Sequence, residues 1–116
     1  MGLADTTMKV MHHAMQGLTT RGEVRAHNIA NAETPEYQAR DVPFEAELRR
    51  ALRSDDLDRQ VRQPVTLRDT LPDVHGNTVE LENEMVALLE DQVRFDTVVA
   101  SYNGKVDIYR RAIGGR

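Results

Sequence analysis

With 116 residues, 40% hydrophobic, 29% charged and a formal net charge of −4, the chain suits one domain or less, and its interspersed charges argue against nucleic acid as a partner. It has no Cys, which excludes disulfide staples, thiolate zinc sites and cysteine nucleophiles, and its 4% aromatics without Trp argue against a base-stacking platform. Met1 to Thr20 has neither a basic n-region nor a continuous apolar stretch, and no run approaches the ~20 apolar residues that span a bilayer, so neither a Sec-type signal nor a transmembrane segment is expected.

The first zone, residues 1–31, reads as a long helix. Met8, Met11, Met15, Leu18, Gly22, Ala26 and Ile29 recur in alternating steps of three and four, which keeps them on one helical face. Gly17 and Gly22 each weaken that helix by up to roughly 1 kcal/mol relative to Ala. It therefore needs a partner surface to be fully formed.

The middle zone, residues 32–80, holds all four prolines, Pro35, Pro43, Pro64 and Pro72. Pro43 to Arg53 fits a short amphipathic helix with Phe44, Leu48, Ala51 and Leu52 on one side. Ser54 to Asp73 mixes Asp and Arg with few large apolar residues, and Val65 to Leu67 is its best candidate strand. Nothing here predicts an independent domain.

The last zone, residues 81–116, carries the strongest pattern. Leu81, Met85, Leu88, Gln92, Phe95, Val99, Tyr102, Val106, Tyr109 and Ile113 alternate in steps of four and three, and only Gln92 among them is polar. Such a repeat predicts a coiled-coil-like seam. Asn77 with Glu80 resembles a capping pair, Glu80, Glu82 and Glu84 suit the helix N-terminus, Arg110 and Arg111 suit its C-terminus, and Gly114 and Gly115 stop it. A second stripe, Val86, Leu89, Val93 and Ala100, flanks the seam. It fits either a second neighbour or a wider seam against one partner. The expected fold is mainly α: two long terminal helices paired as one domain, joined by a partly irregular insert with a short helix. Two such helices leave apolar area uncovered, which points to oligomerisation or docking on other helices.

No constellation in the chain predicts catalysis. His12, His13, His27 and His75 have no metal-ligand spacing, and Ser54 and Ser101 sit in no nucleophile elbow. Phosphate-loop motifs are lacking, and Asp55, Asp56 and Asp58 lack the Gly and distal Glu of a calcium loop. The carboxylates read as surface-patterned. No catalytic residue, cofactor or metal is expected.

One string stands out, Asn28-Ile29-Ala30-Asn31-Ala32-Glu33-Thr34-Pro35-Glu36-Tyr37. Read physically it is a helix terminus: the asparagines bond locally and tolerate left-handed backbone, Pro35 holds Thr34 extended, and Tyr37 packs back on the helix end. Asn28, Ala30, Asn31, Thr34, Pro35 and Tyr37 also resemble the Asn-x-Ala-Asn-x-x-Thr-Pro-Gly-Tyr motif of bacterial flagellar axial proteins, the rod, hook and hook-associated family. Gln38 to Phe44, Gly76 to Glu82 and the tail Tyr102 to Gly115 resemble the proximal rod members of that family, whose short insert also matches. Glu36 stands where the family has Gly, and a type I turn is expected there so that Glu avoids positive φ.

The resemblance implies a structural subunit of the proximal rod that transmits torque across the periplasm. It implies export through the flagellar type III apparatus without signal cleavage. Partners would be copies of itself, other rod subunits and the membrane-ring/export-gate junction protein. Met85, Leu88, Phe95, Val99, Tyr102, Val106, Tyr109 and Ile113 would then form an assembly seam. Another rod protein of the family is a close alternative, against which the tail and Ala39-Arg40-Asp41 speak. From a different class, the heptads alone would suit a helical adaptor or chaperone that dimerises through them.

Overall fold

A computed structural model describes residues 3–59 and 61–114, with the side chains of residues 3–5 outside the description. Gly115, one of the two glycines expected to stop the last helix, lies outside the described residues. Helix α1 runs Leu3–Ala30, strand β1 Arg40–Asp41, helix α2 Phe44–Arg53, strand β2 Thr66–Leu67 and helix α3 Leu81–Gly114. The fold is mainly α, with the two long terminal helices expected from periodicity.

Helices α1 and α3 pair antiparallel. Arg21 meets Asp91, Asn28 meets Glu84, and Leu18 packs with Phe95 and Val98. At ~1.5 Å per residue, α3 is about 50 Å long, and the particle measures 63 × 29 × 14 Å. One end holds the turn after α1 and the start of α3; the other holds the start of α1 and the end of α3.

The insert folds back along α1. Phe44 packs on Leu18 and Val42 near the middle of α1, while Ala51, Leu57 and Val61 form a second small cluster with Val10 and Leu48. Buried His13 has its Nε2 2.7 Å from the Leu57 carbonyl, so Nε2 carries the proton and pins this loop to α1. Pro43 begins α2 through a tight turn in which Phe44 N donates to Val42 O at 2.9 Å. The end of α2 is a Schellman motif: Asp55 takes φ +53°, and Asp56 N donates to Ala51 O at 2.8 Å. Of the four apolar residues expected on one side of α2, Leu52 is exposed. Only Phe44, Leu48 and Ala51 face the clusters.

Strands β1 and β2 form a two-residue antiparallel clip, Arg40 opposite Leu67 and Asp41 opposite Thr66. The strand expected at Val65–Leu67 is present in its last two residues.

The start of α3 differs from the expected capping pair. Asn77 is buried and its Nδ2 donates to Asn31 O and Thr34 O at 2.9 and 2.7 Å, while its Oδ1 accepts from Val79 N. It ties the two ends of the insert together and lies too far before Leu81 to cap α3.

Two glycines in α1 have different reasons to be there. A Cβ at Gly17 would stand 2.4 Å from the Phe44 ring, whereas one at Gly22 would meet nothing within 4 Å. Gly17 exists so that α2 can lie against α1. We expect Gly17→Ala to destabilise the fold by about 1–3 kcal/mol through overpacking, and Gly22→Ala to stabilise it by about 0.5–1 kcal/mol through helix propensity. Thermal and urea melts followed by circular dichroism check both signs; equal effects at the two positions would contradict this account.

Candidate functional site

Three features carry the functional argument: the motif turn, a buried ion network and an exposed apolar ridge. Asn28, fully buried, pairs with the peptide of Arg40 as a strand neighbour would. Its Nδ2 donates to Arg40 O at 2.9 Å, and Arg40 N donates to its Oδ1 at 3.0 Å. Tyr37 packs back as expected and donates its hydroxyl to Asn28 Oδ1 at 3.3 Å. The same Nδ2 reaches Glu84 on α3 at 2.8 Å. Asn28 thus joins three segments, where sequence suggested only local bonding.

Asn31 does bond locally: its Nδ2 donates to His27 O at 2.9 Å and its Oδ1 accepts from the Thr34 hydroxyl at 3.0 Å. Neither asparagine adopts positive φ; Glu36 and Asp55 are the non-glycine residues described that do. Ala30 closes α1 and, with Thr34 and Pro35, is exposed.

Glu36 overturns the expected type I turn. Tyr37 N donates to Thr34 O across the turn, and Glu36, the third residue, takes φ +61° as a type II turn requires. The reason is a backbone contact: Glu36 N donates to His75 O at 2.9 Å, which fixes its peptide toward the other loop. Gly76, at φ +77°, lies close beneath, with a Cβ there only 3.3 Å from Glu36 Cα. The left-handed glutamate is strained, and the loop-to-loop bond holds it.

The reading of all carboxylates as surface-patterned is also overturned. Glu84 and Asp91 on α3 are 2% and 3% exposed. Asp91 accepts from Arg21 Nε and Nη2, both at 2.9 Å, and from Arg25 Nε at 2.8 Å. Glu84 accepts from Arg68 Nη1 at 2.7 Å, Asn28 at 2.8 Å and Arg25 at 3.3 Å. Arg21 continues to Glu45 on α2 and lies over the Phe44 ring at 4.7 Å; Arg68 continues to Asp41 on β1. Helices α1 and α2, strand β1 and the residue after β2 are thereby linked to α3. Burial opposes the charge on Glu84, but hydrogen bonds from Arg68 and Asn28 and the nearby arginines outweigh it and hold its carboxyl below the usual range. Asp91 behaves likewise, its burial outweighed by Arg21 and Arg25. Asp41 and Glu84 in turn push Arg68 further up.

These residues were legible in one respect. Arg21, Arg25 and Asn28 recur at helical spacing on α1, and Glu84 and Asp91 lie one heptad apart on α3. Complementary polar rows on two helices expected to pair are the signal of an internal network.

The expected seam runs across two environments. Leu88, Phe95, Val99, Tyr102, Val106 and Tyr109 are half-buried, whereas Met85 and Ile113 are exposed, as are Leu81 and Gln92. A strict 3.5-residue repeat drifts by ~20° per heptad around a straight helix. Toward its start, therefore, the repeat turns away from α1, and Glu84 and Asp91 take the inward positions. What faces out is a ridge at four-residue spacing, Leu81, Met85, Leu89 and Val93, with Val86 beside it; all five are exposed. Val86, Leu89 and Val93 belong to the second stripe noted in sequence. Among the described residues no His, Cys, Asp or Glu cluster could hold a metal ion, and no helix is long and apolar enough to cross a membrane.

Comparison with known proteins adds direct relatives. The flagellar basal body rod protein FlgB of Cereibacter sphaeroides is 35% identical over 113 residues, covering 83% of this chain and 84% of the relative. The protein of the same description from Escherichia coli is 27% identical over 122 residues, covering 88% of each. That from Bacillus subtilis is 27% identical over 128 residues, covering 99% of this chain and 98% of the relative. No family model matches.

Two outcomes follow from the geometry. Glu36→Gly should raise stability by about 1 kcal/mol by removing left-handed strain; a destabilised variant in denaturant melts would contradict the strain. Both folded carboxyls in the network sit below their unfolded values of about 4. Their stabilisation is therefore complete above about pH 4.5 and is lost as pH falls through the folded values. Asp91→Asn should cost about 3–5 kcal/mol at pH 7 by leaving Arg21, Arg25 and Arg94 short of a counter-charge, and should flatten the acid limb of a stability-versus-pH curve. An acid limb unchanged in both Asp91→Asn and Glu84→Gln would contradict the network's role.

Proposed function

This chain belongs to the FlgB family of flagellar basal body rod proteins, and we propose that it builds the proximal rod by packing its helices against neighbouring subunits, with no catalytic role. The carrying observation is the ridge Leu81, Met85, Leu89 and Val93 with Val86: exposed aliphatic side chains in one row on a helix whose opposite face is already engaged. An i, i+4 ridge is what a groove between helices of a neighbour accepts. Copies of this chain and other rod subunits are the neighbours it suits, arranged as a helical tube that carries torque across the periplasm. The lateral contacts would come from the ridge, which includes Met85 of the expected seam. In the rod, the membrane-ring/export-gate junction protein would meet one end of the layer these subunits form.

Passage through the flagellar type III apparatus suits the energetics. The two apolar clusters hold few fully buried side chains, each contributing only about 1.5–3 kcal/mol on burial. A domain with so small a core unfolds easily, and most of its apolar burial would come on assembly. The alternative, an adaptor or chaperone dimerising through its C-terminal heptads, is disfavoured because Phe95 packs within the chain's own core and Tyr102 lies in the groove beside α1.

The test separates folding from assembly. Leu89→Asp and Val93→Asp alter exposed residues, so the isolated chain should keep its helicity and its melting behaviour within about 0.5 kcal/mol. Cells carrying either variant should be non-motile, with the subunit missing from isolated basal bodies. Wild-type motility with normal incorporation of both variants would sink the reading.

A further inference from the structure

The apolar stripe of α1, running from Met8 to Ile29, is not used up by the fold. Of its members only Leu18 is buried; the others are half-buried or exposed. Beside that stripe, three depressions follow one another along α1. The first, of about 220 Å³, is lined by Gly22 and Leu88 and shares Thr19 and Phe95 with the second. The second shares His12 and Gln16 with the third, which reaches Met8 and Tyr102. Together they form a trough with Met8, Met15 and Gly22 of α1 as its floor and Leu88, Phe95 and Tyr102 of α3 as its wall.

Gly22 leaves open space where a Cβ would stand, so a side chain from outside can approach the α1 backbone there. No contact within the chain calls for this glycine, which lowers the helix's own stability.

The ridge on α3 matches the trough in length. Met85 and Asp96 are eleven residues apart, about 16 Å of helix, and Gly22 lies ten residues from His12 and fourteen from Met8, about 15–21 Å. The methionines on both surfaces adapt readily to a facing side chain.

The charges agree as well. Residues 81–96 contain Glu82, Glu84, Glu90, Asp91 and Asp96 with Arg94. Glu84 and Asp91 are buried in the network, and Arg94 turns to Asp91 and Glu90. Glu82 and Asp96 therefore stand beside the ridge with no cationic partner among the described residues. The charges lining the trough are Lys9, Asp58, Arg59 and Asp91, with Glu23 outside the lining next to Gly22. Lys9 pairs with Asp58, and Asp91 belongs to the network. Arg59, at the Met8 end, is left without a carboxylate among the described residues and is available to an acid from outside.

We propose that the ridge of a second copy lies in this trough, its α3 antiparallel to the receiving α1, with Met85 entering the notch at Gly22 and Asp96 reaching Arg59. This rests on the reading that the ridge packs on neighbours, and it names the surface that receives it. Antiparallel is also the sense in which α3 lies on α1 within the chain, so the two copies point the same way. The contact is heterologous and sets copies side by side.

Because the chain has no Cys, full-length Gly22→Cys and Met85→Cys copies, co-expressed in cells without the wild-type chain, report the contact in isolated basal bodies under mild oxidation. The expected product is a disulfide-linked dimer of this chain, in several-fold excess over that from either variant alone. Intact basal bodies without that dimer overturn the proposal, and so does a cross-link of these cysteines only to a different protein, which would assign the trough to another subunit. A second arm fills the notch. Isolated Gly22→Leu should melt at or above the wild-type temperature, yet enter basal bodies several-fold less, with partial recovery when Met85→Ala is added. Normal incorporation of Gly22→Leu overturns the trough as the receiving surface. If Leu89→Asp and Val93→Asp are still excluded in that case, the ridge reading stands alone; if they too are incorporated, both readings fail.

Discussion

The pairing of two buried carboxylates with arginines from α1, the insert and α3 is the constraint on which the rest of this fold depends. Glu84 and Asp91 are withdrawn from water on α3, and Arg21, Arg25, Arg68, Arg94 and Asn28 make that tolerable. Ion pairs of this kind add modest net stability because desolvation offsets attraction, yet leaving one member unpaired is severe. Their effect is therefore selective: a register of α1 on α3 that displaces Arg21 from Asp91 is far worse than the native one. Apolar seams slide more readily, and the seam below this network has no comparable lock. Through Glu45 and Asp41, the same arginines bring α2 and the β clip into that register.

The network and the exposed ridge are two consequences of one geometric fact. On α3, inward positions near the start of the helix are carboxylates, so the aliphatic residues there point elsewhere. Toward the end, the repeat has turned back to α1, and Phe95, Tyr102 and Tyr109 are half-buried. A single helix thus shows one face to its own chain and, along its first half, a second face to solvent. This division is what the proposed packing against a neighbour draws on.

Left-handed backbone falls at Asp55, which ends α2, and at Glu36 in the junction of the insert. Glu36 is held left-handed by a backbone bond to His75, and Asn77 draws Asn31 and Thr34 onto the segment leading to α3. The string from Asn28 to Tyr37 is consequently a joint with long-range partners. Asn28 spans α1, β1 and α3, which explains why an amide and not merely a helix-stopping residue stands there.

The amino-acid sequence alone determined the two long helices, the short helix after Pro43 and the location of the irregular insert. Steps of three and four, the prolines and the glycines act locally, through backbone geometry that needs no knowledge of neighbours. It also identified the motif string, and with it the family. Only the tertiary structure decided which face of α3 is inward, because helical drift over several heptads makes a seam and its neighbour indistinguishable until a partner helix is placed. The fates of Glu84, Asp91, Asn28, Asn77 and Glu36 were likewise settled at long range. Each depends on a group between 12 and 70 residues away in the chain, and a polar residue's burial is decided by whether such a counterpart arrives.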